Sequence, residues 1–197
     1  MNFNTNFILA SGNPHKVDEL RQIFKPLGIE LKSALDFPDT DEVVEDQPDL
    51  EGNAFKKARY WHRKTGLPAL ADDTGLEVEA LNGAPGVYSA RYAGGDATYD
   101  DNITKLLEEL DGKQNRAAQF RTVVAFVDGE VEELFEGACP GKIINQKRGD
   151  KGFGYDPVFV PEGFTETFAE LSSEQKNKIS HRGIAVEKFI SYLKSVL

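Results

Sequence analysis

Phe7-Ile8-Leu9-Ala10 is an unbroken apolar run, and after it the pattern of apolar and polar positions changes period. Val17, Leu20 and Phe24 fall on one helical face, which Leu27 continues and Gly28 stops. The chain is thus expected to open strand, loop, helix, with a short second strand at Ile29 to Leu31. Leu50, Ala54, Ala58 and Trp61 mark the next helical face, capped by Asp49 and ended by Gly66-Leu67-Pro68. Ala69 to Ala71 is too short to have a period, but its flanks favour a strand. Leu76, Val78 and Ala80 alternate as an extended segment does. Ile103, Leu106, Leu107 and Leu110 return to the helical period.

The stretch "AAQFRTVVAFVDGEVEELFEG" alternates on both sides of Asp128-Gly129, which predicts a hairpin. A hairpin in a chain that opens strand–loop–helix implies a mixed sheet rather than a purely parallel one. A strand is expected at Val158 to Val160, and a last helix with Ala185, Phe189, Leu193 and Val196 as its buried stripe. Two segments read as loops: the acidic "DFPDTDEVVEDQPD", and "NGAPGVYSARYAGGDAT", whose glycines and prolines fit either an ordered or a mobile connection. No repeat or linker divides the chain, so its 197 residues suit one large domain or two lobes sharing a core.

Composition narrows the partners. The formal net charge is -10, with 23 basic against 33 acidic residues. Duplex nucleic acid as the main partner is disfavoured, because that binding relies on a basic face. A small phosphorylated ligand needs only local cations and stays open. Cys139 is the only cysteine and is expected to pack as a small hydrophobe. The first residues lack the charged and apolar regions of a signal peptide, and no stretch approaches a membrane span. A soluble, cytoplasmic protein is the expectation.

Four segments could carry chemistry. "SGNPHK", Ser11 to Lys16, joins a strand to a helix, where free N–H groups and Lys16 suit a phosphate; taken alone, it reads first as an ordinary tight turn with a surface lysine. "ADDTG" ends an apolar run in Asp72 and Asp73, whose mutual repulsion a divalent cation would offset, with Gly75 allowing a tight turn and Glu42, Glu45 and Asp46 as further acids; a solvated turn with one aspartate as a cap fits too. In "GFGYDP", Tyr155 could stack on a planar base and Asp156 could accept hydrogen bonds, or the segment is a rigid turn with core aromatics. "SHRG" places His181 and Arg182 at the entry to the last helix, after Lys176 and Lys178, and is otherwise a solvated basic face. His62, beside Trp61, reads as a surface histidine, and His15 as facing solvent. Together, cations for phosphates, acids for a metal and an aromatic for a base describe a nucleotide site.

"SGNPHK", "ADDTGLEVEALNGAPGVYSARYAG", "GFGYDPVF" and "ELSSEQKNKISHRG" resemble, in that order, the motifs of the inosine triphosphate pyrophosphatase family, the HAM1/RdgB-like non-canonical purine NTP pyrophosphatases. The resemblance runs from about Phe7 to the last helix. It implies an α/β fold: an elongated mixed sheet flanked by helices, in two lobes with the active-site cleft between them. It also implies a Mg²⁺-dependent homodimer that converts ITP, dITP and XTP to the monophosphate and pyrophosphate. By the same resemblance, Ser11, Gly12, Asn13, Pro14, His15 and Lys16 form the phosphate loop, and Lys57 is a second phosphate lysine. Asp73 is the catalytic acid and a metal ligand, with Glu45 and Asp72 also at the metal. Thr74 contacts substrate, Phe153, Gly154, Tyr155 and Asp156 form the base-binding turn, and Lys176, His181 and Arg182 complete the nucleotide contacts. Two departures are visible: some relatives have tryptophan at Tyr155, and the second helix opens "EGNAFKKA" where others read "ENA". A related Maf-like nucleotide pyrophosphatase and a non-catalytic nucleotide-binding module are the alternatives.

Overall fold

The structure, a computed structural model, describes residues 6–40 and 43–196. Glu42, one of the candidate acids, lies outside the described residues. The chain divides into two compact units: one takes the described residues up to Asp73, Val123–Glu136 and the chain from Ala185 onward, the other Thr74–Thr122 and Gly137–Ile184. Strand order in the sheet is β2 (Glu30–Ser33), β1 (Asn6–Leu9), β3 (Ala69–Val78), β5 (Ala117–Asp128), β6 (Val131–Ile143), β7 (Phe159–Pro161), with β4 (Pro85–Gly86) paired to β3.

In the first unit, β1 (Asn6–Leu9) is flanked in parallel by β2 (Glu30–Ser33) and by the start of β3 (Ala69–Val78), in register Ile8 to Ala69 and Leu9 to Leu70. Parallel neighbours need helical crossovers. These are α1 (Pro14–Phe24) and α2 (Leu50–Thr65). Val17, Leu20 and Phe24 of α1 pack with Phe7, Leu9, Leu31 and Leu70 and with Ala185, Val186, Phe189 and Leu193 of α5 (His181–Ser195). The Phe189 ring lies 6.2 Å from Phe7, 6.0 Å from Phe24 and 5.3 Å from Phe126. Loss of so enclosed an aromatic costs about 3–5 kcal/mol.

Two predicted core positions are corrected here. Leu27 is 41% exposed, because the α-helix ends at Phe24 and a 3₁₀ turn with Pro26 at its start follows. Val196 is 57% exposed, because α5 ends at Ser195 and the stripe stops with Leu193. His62 is also more than a surface histidine. Its Nε2 accepts the Gly129 N–H at 3.1 Å, which leaves the proton on Nδ1 for the Leu67 carbonyl at 2.8 Å. The ring thus ties the end of α2 to the turn between β5 (Ala117–Asp128) and β6 (Val131–Ile143), the predicted hairpin.

In the second unit, Leu76 and Val78 of β3 pack with Ile103, Leu106 and Leu110 from α3 (Tyr99–Glu109) and its C-cap, and with Phe120, Phe159 and Phe168. "ADDTG" is not a turn: it lies inside the ten-residue strand β3. Gly75 serves a close approach instead, since a Cβ there would sit 2.7 Å from the Gly86 carbonyl oxygen on β4 (Pro85–Gly86). Strand β4 runs antiparallel to β3, Leu76 opposite Gly86, and Ser89 Oγ accepts the Leu76 N–H at 2.8 Å while donating to the Gly86 carbonyl at 2.6 Å. The glycine- and proline-rich connection is therefore ordered. β7 (Phe159–Pro161) pairs antiparallel with β6, Lys142 opposite Val160; it starts after the predicted Val158, which belongs to a 3₁₀ turn with Pro157. Cys139 is buried, and burial pushes its thiol up to about 11, so it packs as the inert hydrophobe expected.

Candidate active site

In the first unit the parallel pairing of β1 with β3 sets the loop after β1 beside the tandem acids. Asn13 caps α1, its Oδ1 accepting from the N–H of His15 at 3.0 Å and of Lys16 at 3.4 Å, and Pro14 occupies the first turn where its missing N–H costs nothing. Ser11 Oγ accepts the Asn13 N–H at 3.2 Å, so the loop is braced from within. Lys16 Nζ reaches Asp72 Oδ2 at 3.2 Å. Gly12 and His15 are exposed.

Successive strand residues face opposite sides, and the two aspartates meet different lysines. Lys57 Nζ, from the buried stripe of α2, donates to Asp73 Oδ1 at 3.0 Å, to Glu45 Oε1 at 2.6 Å and to the Asp72 carbonyl at 3.0 Å. Each acid thus has its own cation, which resolves the adjacency. Burial pushes Asp73 above the ordinary carboxylate value, helped by the Glu45 charge and opposed by Lys57 and Lys16. Lys57 is held charged: burial works against its ammonium, but Asp73, Glu45 and Asp72 together outweigh it and raise its pKa. Asp46 points elsewhere, pairing with Lys56 at 2.7 Å.

In the second unit Asp156 is the pivot. Its Oδ2 accepts the Phe153 N–H at 2.9 Å and the Lys176 ammonium at 2.7 Å, all but out of solvent. Lys176 comes from α4 (Ser173–Ile179), whose start is a Ser172–Gln175 capping box. The Phe153 ring, half-buried beside Gly154, has Lys176 Nζ at 5.1 Å and the Arg182 guanidinium carbon at 5.6 Å from its centroid. Arg182 Nη2 donates to Thr74 Oγ1 at 3.2 Å, and that hydroxyl lies 2.6 Å from Thr122 Oγ1. His181 is buried, its ring stacked on Phe120 at 4.6 Å and 12°. Tyr155 is buried too: it packs in the core and donates its hydroxyl to the Ser89 carbonyl at 2.9 Å, so the more accessible aromatic of the turn is half-buried Phe153.

Several contributors were not singled out from the sequence. Asn53 Oδ1 accepts the Gln47 N–H at 3.0 Å and pins the segment that carries Glu45. Gly52 lets that segment cross close by, since a Cβ there would meet Gln47 Cβ at 2.8 Å. The signal was present: Asn53 and Lys57 are polar residues four apart on the apolar stripe of α2. Thr122 is likewise a polar residue at a fully buried position of β5, just before its apolar run. A groove of about 680 Å³ in the second unit, lined by Glu77, Gln119, Gly141, Lys142 and Phe164, holds none of the candidate residues.

Among the described residues no three His, Cys, Asp or Glu side chains are grouped as a ready-made metal cage. Asp73 and Glu45 nonetheless converge on one point, the Lys57 nitrogen. Two carboxylates completed by phosphate oxygens are the usual donor set for Mg²⁺, so the residues present fit such an ion.

Comparison with known proteins gives the family. A dITP/XTP pyrophosphatase of Desulfotalea psychrophila is 51% identical over 180 residues, covering 91% of this chain and 81% of that protein. A dITP/XTP pyrophosphatase of Porphyromonas gingivalis is 48% identical, covering 94% of this chain and 96% of its own. The Ham1 protein of Staphylococcus aureus superposes with a TM-score of 0.87 at 37% identity, over 98% of this chain and 100% of that one. The profile of the Ham1 family matches residues 7–192, and the chain, sharing both its sequence and its fold, belongs to that family.

Proposed function

We propose that the protein is a nucleoside triphosphate pyrophosphohydrolase that converts ITP, dITP and XTP to the monophosphate and pyrophosphate. In this reading it clears deaminated purines from the cytoplasmic nucleotide pool as a Mg²⁺-dependent homodimer. The observation that carries it is the convergence of Asp73 and Glu45 on Lys57, beside Lys16 at the N-terminus of α1. The names of the relatives supply the substrate class.

A triphosphate brings about four negative charges, which the helix N-terminus, Lys16 and Lys57 would neutralise locally. When bound, Mg²⁺ would supply Lewis-acid neutralisation of the phosphate charge from Asp73 and Glu45. Asp73 accepts a proton from the water that attacks the α-phosphorus. The new bond is from water oxygen to phosphorus, the bond from that phosphorus to its bridging oxygen breaks, and pyrophosphate leaves. Thr74, whose hydroxyl accepts from Arg182, contacts the substrate in this reading. Phe153 offers the ring for the base, and Arg182 or His181 offers a donor to a C6 carbonyl, which adenine lacks. A buried polar mismatch of that kind discriminates by factors on the order of 10⁴ in favourable cases.

The test is hydrolysis of ITP in ¹⁸O-labelled water with Mg²⁺. Pyrophosphate should appear unlabelled and the label should enter the monophosphate; orthophosphate release would refute the reaction, and binding without turnover would identify a nucleotide-binding module. A panel of ITP, dITP, XTP, GTP and ATP tests selectivity, and equal rates on all five would refute it.

A further inference from the structure

Tyr99 is the first residue of α3 and remains 40% exposed. Its ring centroid lies 6.0 Å from that of Phe153, with the planes tilted by 42°. This contact joins two segments far apart in sequence, the start of α3 and the loop between β6 and β7. The neighbouring residue repeats the connection: Asp100 pairs with Lys147 of the same loop at 2.7 Å. The start of α3 is itself fixed. Thr98 and Asp101 form a capping box, and buried Asn102 accepts the Ala93 N–H at 2.7 Å and donates to the Ala90 carbonyl at 3.1 Å.

On the Phe153 side, the backbone N–H is bonded to Asp156 and two cations lie near the ring. A half-buried phenyl ring on a loop has rotamer freedom to lose when a ligand packs on it, and fixing it beforehand removes that cost from binding. A tyrosine suits this: it is large, has few torsions and packs well against another ring at a tilt. Neither capping nor helix propensity calls for an exposed aromatic at this position, where the residues on either side are Thr98 and Asp100.

We propose that Tyr99 is a positioning residue for the base end of the substrate, holding the Phe153 ring in the plane on which the purine packs. The proposal rests on the reading of Phe153 as the base platform. It assigns Tyr99 no contact with the phosphates and no part in the proton transfer.

The experiment compares Tyr99→Ala, Tyr99→Phe and Phe153→Ala with the parent enzyme. KM and kcat are measured for ITP, with inhibition by inosine monophosphate and by tripolyphosphate, a probe that has no base. Tyr99→Ala should raise KM for ITP and weaken the monophosphate by about five- to tenfold, with kcat and tripolyphosphate inhibition unchanged. Tyr99→Phe should restore parental values, since the ring and not the hydroxyl is at work. Unchanged KM in Tyr99→Ala, with KM raised in Phe153→Ala, would overturn the role of Tyr99 and leave the platform standing. Unchanged KM in both would overturn the platform as well. Equal weakening of tripolyphosphate would show a general disturbance of the fold and overturn the proposal too.

Discussion

Lys57 Nζ sits 3.0 Å from Asp73 Oδ1, and the same ammonium bridges Asp73 to Glu45. Both carboxylates are therefore aimed at one point that already holds a positive charge. Asp73 still titrates above its ordinary value, because burial and Glu45 outweigh the lysines. That sign has a consequence for stability. A carboxyl whose folded pKa is raised binds its proton more tightly when folded, so its contribution to stability falls as pH rises from the unfolded value, about 4, through the folded one. Asp73→Asn removes the ionisation. Without metal, the variant's thermal midpoint relative to the parent should rise with pH between about 4 and neutrality, on top of a pH-independent cost for leaving Lys57 with one carboxylate fewer, read in chelator. Its turnover should fall by about 10³, the scale of a lost general base. A variant that kept most of its activity would remove Asp73 from the chemistry.

Replacing Lys57 by methionine leaves Asp73 and Glu45 facing each other without the charge between them. Breaking a buried pair in this way costs about 3–5 kcal/mol. At about 2–4 °C per kcal/mol for a chain of this size, the midpoint should drop by roughly 6–20 °C in chelator. Saturating Mg²⁺ should narrow the gap between variant and parent, since the ion would take over the neutralisation. The same gap with and without Mg²⁺ would mean that the ion does not sit between Asp73 and Glu45.

Gly52→Ala tests how the Glu45 segment is held. The added methyl would lie 2.8 Å from Gln47 Cβ and 3.0 Å from Asp49 Oδ1, the N-cap of α2. Overpacking of this kind costs about 1–3 kcal/mol. Displacement of Glu45 should weaken the apparent Mg²⁺ affinity by about 10–100-fold, as losses among the supports of a metal site do. A Mg²⁺ titration of activity gives the shift. An unchanged titration would detach Glu45 from the ion.

The sequence was legible where local pattern and tertiary structure agree. Alternation around Asp128-Gly129 produced the hairpin, and the stripe Leu50, Ala54, Ala58, Trp61 produced α2, because both periods are set by the same burial that folds them. It was not legible where a distant partner decides. "ADDTG" looks like a turn until Gly86 is seen packed on Gly75, which needs that glycine for close approach within a strand. His62 looks solvent-facing because neither Leu67 nor Gly129 announces that its backbone needs a partner. In the site, residue identities were readable one motif at a time. The allocation of Lys16 to Asp72 and Lys57 to Asp73 was not, since it depends on strand alternation meeting two separate helices.

Tyr155 provides the last test, because chemistry and position point in different directions. A tyrosine in a nucleotide-binding turn invites a stacking role, yet this ring is buried against Val158, Phe168 and their neighbours, with its hydroxyl spent on the Ser89 carbonyl. Burial raises its pKa, so it remains a donor throughout the working range. Ser89 in turn holds β3 to β4 through Leu76 and Gly86, so the hydroxyl supports the fold of the second unit rather than the ligand. Tyr155→Phe should cost about 1–3 kcal/mol, the scale for an acceptor left buried without its donor, and leave KM for ITP within about twofold. A KM raised tenfold with an unchanged melting point would put Tyr155 on the substrate after all.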